Sequence, residues 1–320
     1  MGILINRTLS NLYKPFFSVI LLANTACSPV KLLNAVISDS NYSITTDIAF
    51  GALSRQKLDI YTPLLKVDKS QNNVETVKRL KKVIIFYYGG NWDSGEKADY
   101  KFAAEALTAS GHIVVIPNYR VYPEVLFPEF MIDPALIAKW VKTNIHEYGG
   151  DASQIFLSGH SAGAYIAVMM AVNPEYLAAV SLKPNDFAGI IGLAGPYDFL
   201  PLGSDRLKTI FGNDEQQVKS QPINFVDGKN PPLLLVVGLK DNTVWPRNSY
   251  NIAKKINANG GKVKVIEFAD YGHVDMVAKL AKPLRGNGDL LKIINDFIEF
   301  NRVENKIIEI DVKSIKQNYP

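Results

Sequence analysis

The chain of 320 residues holds one cysteine, Cys27, and only four histidines, His112, His146, His160 and His273. A single cysteine excludes an intrachain disulfide and a metal site built on cysteines. The histidines are scattered, with no H-E-x-x-H or comparable spacing, so no metal ligand set is expected. Charge of one sign is scarce too. Thirty-five Lys and Arg against 31 Asp and Glu leave a formal charge of +4, too small an excess to make nucleic acid an expected partner. Neither an internal repeat nor a domain linker is evident. What remains is the composition of a folded protein, with 47% hydrophobic and 21% charged residues.

Residues 1–27 read as a targeting segment. Arg7 and Lys14 give a basic start, Pro15 to Ala23 form an apolar core, and the small residues Thr25 and Ala26 precede Cys27. The apolar run is too short to span a bilayer comfortably as a permanent helix. The pattern resembles a bacterial lipoprotein signal, in which Cys27 would become the lipidated first residue of the mature chain. That resemblance implies an exported protein held at an envelope membrane, facing the periplasm or the cell surface. Asn24 departs from it, because leucine or a similar residue usually stands three before the cysteine. A plain secretory signal, an uncleaved anchor and a cytoplasmic protein are the alternatives.

Residues 28–320 are expected to form one α/β domain. Ile44–Phe50 and Lys57–Tyr61 alternate apolar and polar residues and predict a β-hairpin. Lys66–Lys82 is polar and lysine-rich, the pattern of a solvated segment, with membrane-surface contact a secondary reading. Val83–Tyr88 is a continuous apolar run, the pattern of a strand buried on both faces, and Ile113–Pro117, the short β-rich run from Ile155 into Gly159, Phe187–Ala194 and Pro232–Gly238 predict further strands. Lys262–Phe268 predicts a last strand. Helices are predicted between them, over about 97–109, over Asp133–Glu147 with Ile132, Leu136, Ile137, Trp140 and Val141 on one face, over Pro246–Asn259 and over Leu290–Glu304. Strands separated by helices imply crossover connections and a mostly parallel central sheet with helices on both faces. Residues 196–230 are irregular and predict a small insertion near the sheet's edge.

The chemistry centres on Gly159-His160-Ser161-Ala162-Gly163, between a β-rich run and an apolar, alanine-rich segment. That is the sequence form of a nucleophile elbow, a sharp strand-to-helix turn presenting a serine hydroxyl. A serine hydroxyl is a weak nucleophile and needs a base, which in turn needs an orienting acid. His160 adjoins the serine, so its side chain is expected to point elsewhere. His112 and His146 fall at remote positions. His273, in a loop after the last strand, remains as the base. Asp241 follows the strand ending at Gly238 and is the preferred acid; Asp270 and Asp275 compete but sit beside the histidine. Ser161, Asp241 and His273 lie in three loops at carboxyl ends of strands, where ligand crevices form in open α/β sheets. For the oxyanion, the N–H of Ala162 and those of the Gly89-Gly90-Asn91 turn are the expected donors.

Four motifs carry a family resemblance: Tyr88-Gly89-Gly90-Asn91-Trp92, Asn118-Tyr119-Arg120-Val121-Tyr122-Pro123-Glu124, Tyr148-Gly149-Gly150-Asp151 and Gly159-His160-Ser161-Ala162-Gly163. Together they resemble the α/β-hydrolase superfamily, in the carboxylesterase and lipase branch with an HGG-type oxyanion motif, which also contains kynurenine formamidases. The resemblance implies the α/β-hydrolase fold, hydrolysis of small-molecule esters through an acyl-enzyme, no cofactor, and Gly89, Gly90 and Ala162 as oxyanion donors. Tyr88 stands where the family usually has histidine, a residue that generally props the loop. An arylformamidase or amidase, and a binding lipoprotein without turnover, are the alternative functions. Trp92, Tyr122, Tyr197, Phe199, Phe211 and Trp245 flank the site-forming loops, as pocket lining or as core.

Overall fold

A computed structural model describes residue 34 and residues 41–64 and 80–301. The N-terminal segment with Cys27, most of the lysine-rich stretch and the tail from 302 lie outside the described residues. The first described strands, β1 (Tyr42–Ala49) and β2 (Lys57–Pro63), pair as the expected antiparallel hairpin. There follow β3 (Lys81–Tyr87), α1 (Lys101–Ala109), β4 (Ile113–Pro117), α2 (Ile132–Asn144), β5 (Gly150–His160) and α3 (Ala162–Val172). A one-turn helix α4 (Glu175–Ala178) leads to β6 (Gly189–Leu193), and the 196–230 stretch carries α5 (Asp205–Phe211) and α6 (Asp214–Lys219). The chain closes with β7 (Leu233–Gly238), α7 (Arg247–Ala258), β8 (Val263–Phe268), the one-turn α8 (Asp275–Ala278) and α9 (Asp289–Phe300).

Eight strands form one sheet in the order β1-β2-β4-β3-β5-β6-β7-β8, antiparallel at β1, β2 and β4 and parallel from β4 to β8. Every residue of β4, β6 and β7 is buried. Both faces of the central sheet are therefore covered, which is why these strands read as unbroken Ile, Val and Leu rather than alternating. The two edge strands differ: β1 is mostly exposed, and β8 alternates between half-buried and exposed positions.

Helix α2 corrects one expectation. Ile132 is 49% exposed and Leu136 and Trp140 are only half-buried, whereas Ala135, Ile137, Ala138 and Val141 are buried. The reason is Asp133. Its fully buried carboxylate lies on the inward face with Ile137 and Val141, at a spacing of four residues, and turns that face to the sheet. The helix also ends earlier, at Asn144, before a 3-10 turn over Ile145–Tyr148 that Gly149 terminates at φ 81°.

Asp133 accepts hydrogen bonds from the Arg120 backbone N–H (2.8 Å), from Arg120 Nη2 (2.8 Å) and from Gln56 Nε2 (2.8 Å). One carboxylate thus ties the β1–β2 connection, the loop after β4 and the first turn of α2. Removing one partner of a buried ion pair strands the other, at about 3–5 kcal/mol. Asp133→Ala is expected to lower unfolding stability by about that amount in urea denaturation; an unchanged midpoint would show that the carboxylate carries no such weight.

Candidate active site

Strand β5 becomes helix α3 across a single residue. Ser161 sits there with φ 55° and ψ −122°, a region that residues with a Cβ seldom occupy, and its N–H is held by the Leu193 carbonyl at 2.9 Å. Glycines flank it for a steric reason. A Cβ on Gly159 would strike the backbone of Gly163, and one on Gly163 would strike the carbonyl of Tyr87 at the end of β3.

The three residues expected to act together meet at this turn. His273 Nε2 lies 2.9 Å from Ser161 Oγ, and His273 Nδ1 lies 2.8 Å from Asp241 Oδ2. Asp241 as a carboxylate can only accept, so Nδ1 carries the hydrogen and Nε2 is bare to accept the Ser161 hydroxyl. The other Asp241 oxygen takes the backbone N–H of Thr243 (2.9 Å) and Val244 (2.8 Å). Burial works against charge on Asp241, but the bonds from His273, Val244 and Thr243 outweigh it and hold the carboxyl below the usual carboxylate range. The competing acids are engaged elsewhere. Asp270 pairs with Lys240 on the surface at 2.7 Å, and Asp275 accepts the Gly272 N–H at 2.8 Å.

The remaining histidines divide. His112 is remote, 3.2 Å from Asn295 Oδ1 on α9, and His146 is exposed in its 3-10 turn. His160 points away from the Ser161 hydroxyl but not away from the site. Its Nε2 lies 3.0 Å from the His273 carbonyl oxygen and its ring lies 4.8 Å from the His273 ring. Burial first, and the neighbouring His273 second, push its pKa down to about 3.

The glycine turn after β3 needs one revision. Gly89 abuts the serine, since a Cβ there would come 3.1 Å from Ser161 Cβ. Its N–H, however, is already given to Tyr100 Oη at 3.0 Å, so Gly89 is not free to serve as an oxyanion donor. The backbone N–H groups of Gly90, Asn91 and Ala162 have no hydrogen-bond partner among the described residues. Gly90 and Asn91 belong to the turn from which donors were expected. Tyr88 props the turn by stacking on Tyr119 (4.4 Å between rings, 19° apart) and by accepting from Arg55 Nη2 at 3.1 Å.

A cavity of about 350 Å³ opens beside Ser161, lined among others by Asn91, Trp92, Phe199, Leu207, Trp245 and Arg247. Trp92, Phe199 and Trp245 thus line it. Tyr197 is not: it is fully buried, with its ring against Gly192 and Gly195, and it meets the site only through its N–H bond to Asn248 Oδ1 at 3.0 Å. Tyr122 is not a lining residue either. Its ring lies under Arg206 at 4.9 Å, and its N–H is bonded to the Trp92 carbonyl at 2.8 Å. Phe211 is core, edge-on to Trp92 at 4.8 Å. Asn91 and Trp92 both have left-handed backbone, φ 50° and 59°, and the rings of Phe199, Phe211 and Tyr165 around Trp92 hold that turn in place. Leu207 and Arg247 carried no sequence signal, because helices in distant segments bring them in. Among the described residues no cluster of metal-binding side chains occurs, and no helix is long and apolar enough to cross a membrane.

Comparison with known proteins gives the same architecture. A carbohydrate esterase from gut microbiota superposes with a TM-score of 0.68 at 22% identity, covering 82% of this chain and 98% of that one. Esterase B from Lactobacillus rhamnosis superposes with a TM-score of 0.69 at 19% identity, covering 85% and 91%. In sequence, a probable isoprenylcysteine alpha-carbonyl methylesterase from Arabidopsis thaliana is 27% identical over 77% of this chain and 54% of its own length. Kynurenine formamidase from Danio rerio is 24% identical over 73% of this chain and 76% of its own. The chain spans about half the length of the plant methylesterase. The profile of the BD-FAE family matches residues 58–256, more than half of the chain. With the sheet order, the elbow and these likenesses in agreement, the chain has the α/β-hydrolase fold and belongs to the BD-FAE family.

Proposed function

We propose that this protein is a serine carboxylesterase acting on small to medium esters. The observation that carries the reading is the unbroken hydrogen-bonded run Ser161–His273–Asp241 at the wall of a cavity also lined by Asn91, whose N–H has no partner among the described residues. His273 takes the Ser161 proton as Oγ attacks the ester carbonyl. Asp241 keeps the imidazole in the required tautomer and stabilises the imidazolium. The N–H groups of Gly90, Asn91 and Ala162 receive the oxyanion of the tetrahedral intermediate, each donor contributing roughly 10²–10³ in turnover. His273 then returns the proton to the leaving alkoxide, and water clears the acyl-enzyme by the reverse sequence. No step calls for a cofactor or metal. The cavity of about 350 Å³ suits small to medium esters better than long triglycerides.

A second reading, an arylformamidase or amidase, draws support from the formamidase relative, most of whose length is matched. The same three residues would serve, with an amine as the leaving group. For residues 1–27 we propose a lipoprotein signal with Cys27 lipidated, placing the enzyme at an envelope membrane.

Wild type is expected to hydrolyse short p-nitrophenyl esters and Ser161→Ala to lose that activity; equal rates in the two would sink the assignment. Asp241→Asn should lower kcat by about 10⁴, through the wrong imidazole tautomer. A parallel panel of aryl formamides decides between the two readings by kcat/KM. Mass spectrometry of the mature N-terminus should find a diacylglyceryl group on Cys27, and an unmodified thiol would refute the anchor.

A further inference from the structure

His160 and Tyr100 have no part in the steps above, yet both are buried polar groups directly behind the reacting residues. The Gly89 N–H donates to Tyr100 Oη at 3.0 Å, Tyr100 Oη lies 3.4 Å from His160 Nδ1, and His160 Nε2 lies 3.0 Å from the His273 carbonyl oxygen. The chemistry of the two ends gives this path one direction. A carbonyl oxygen can only accept, so His160 must carry its hydrogen on Nε2. Nδ1 is then a bare acceptor, which is filled by the Tyr100 hydroxyl hydrogen. The Tyr100 oxygen is left with a lone pair, and the Gly89 N–H fills it. Every polar atom in the path is used once, and none is left facing the core without a partner.

We infer that Tyr100 and His160 form a hydrogen-bonded strut that sets the Gly89–Asn91 turn and the His273 loop at a fixed separation across Ser161, and so are positioning residues for the reaction. The inference rests on the proposed hydrolase reading. The two structures the strut joins are those whose spacing matters most: the turn receives the charge that develops on the substrate, and the loop carries the base. They come from opposite sides of the elbow, after β3 and after β8, and the sheet's hydrogen bonds do not join those two strands directly. Ordinary core packing would require only that these polar atoms be satisfied. A strut with one polarity additionally predicts that its two members act as a unit.

The strut also keeps His160 out of the proton chemistry. A second proton on His160 would sit on Nδ1, against a Tyr100 oxygen already engaged by Gly89, beside the His273 ring and away from solvent. Burial likewise holds the Tyr100 hydroxyl up at about 12, so its hydrogen stays in place. His273 gains and loses a proton while its neighbour, in ring contact, stays neutral.

The test uses the full-length chain with Tyr100→Phe, His160→Gln, His160→Leu and the Tyr100→Phe/His160→Leu double variant. Phe removes the central hydroxyl, Gln keeps a donor for the His273 carbonyl, and Leu keeps only bulk. Misplacement of reacting groups by a fraction of an ångström to one ångström costs up to about 10²-fold. Tyr100→Phe and His160→Leu should therefore each lower kcat by about 10- to 100-fold with KM within about twofold, and His160→Gln should recover part of the loss. The double variant should be no slower than the slower single variant, whereas independent sites would multiply their effects. Wild-type kcat in folded Tyr100→Phe and His160→Leu, or multiplicative losses, would overturn the strut. A readout free of turnover is the ¹⁵N NMR of the His160 ring, which should show the neutral Nε2–H tautomer across about pH 5 to 8. An Nδ1–H tautomer or a protonated ring there would overturn the strut as well, even if a variant fails to fold. Failure of the hydrolase reading is seen separately, as wild type that neither hydrolyses esters or formamides nor labels at Ser161 with a fluorophosphonate.

Discussion

A hydroxyl stands clear of a parallel sheet only where the chain passes from strand to helix within one residue, and that passage leaves no room for neighbouring side chains. Here Gly159 presses on Gly163, and Gly163 presses on the Tyr87 carbonyl at the end of β3. The second contact does more than permit the turn. By bringing α3 down onto the end of β3, it sets the Gly89–Asn91 turn against Ser161, so the serine and that turn share one steric constraint. His273 and Asp241 arrive by a parallel route. The Lys240 N–H bonds to the Tyr271 carbonyl at 3.0 Å and the Leu239 N–H to the Phe268 carbonyl at 3.0 Å, so the Asp241 and His273 loops extend the β7–β8 ladder beyond its last pair.

Strained backbone of this kind persists only when its surroundings over-determine it. Three consecutive supports do so. Tyr88, stacked on Tyr119 and bonded to Arg55, fixes the entry to the turn. The ring cluster around Trp92 fixes its exit. Arg55 also donates to the carbonyls of Tyr119 (2.7 Å) and Gly95 (2.5 Å), which joins the β1–β2 connection to both. Tyr88 fits this arrangement, because a phenol reaches Arg55 with an oxygen that accepts.

The cavity is bounded by parts of very different origin. Trp92 and Asn91 come from the turn after β3, Phe199 and Leu207 from the segment holding α5, and Trp245 and Arg247 from the start of α7. Arg247 lies over the Trp245 ring at 4.9 Å, which gives the wall a flat, cationic edge. Most of this wall thus comes from elements other than the loops that carry Asp241 and His273.

The strand–helix alternation, the elbow, and Asp241 and His273 as its partners were all legible in the sequence. Each is governed by local pattern: unbroken Val, Ile and Leu for strands buried on both faces, glycine where no Cβ fits, and loops at the carboxyl ends of strands. What local pattern does not carry is the direction of a side chain or the partner of an N–H group. Gly89 reads as an oxyanion donor until Tyr100, eleven residues on, is seen to have taken its hydrogen. Tyr197 and Tyr122 read as pocket residues because they flank it in sequence, while packing against Gly192, Gly195 and Arg206 directs their rings elsewhere. His160 reads as excluded because it adjoins the serine, yet the elbow's own twist delivers its ring to the carbonyl of His273. The fold and the meeting of Ser161, Asp241 and His273 follow from steric and periodic rules that act on neighbours along the chain. Only the tertiary structure decided which donors stay free, which rings face the cavity and how the turn and the histidine loop are tied together, because those depend on contacts between residues far apart in sequence.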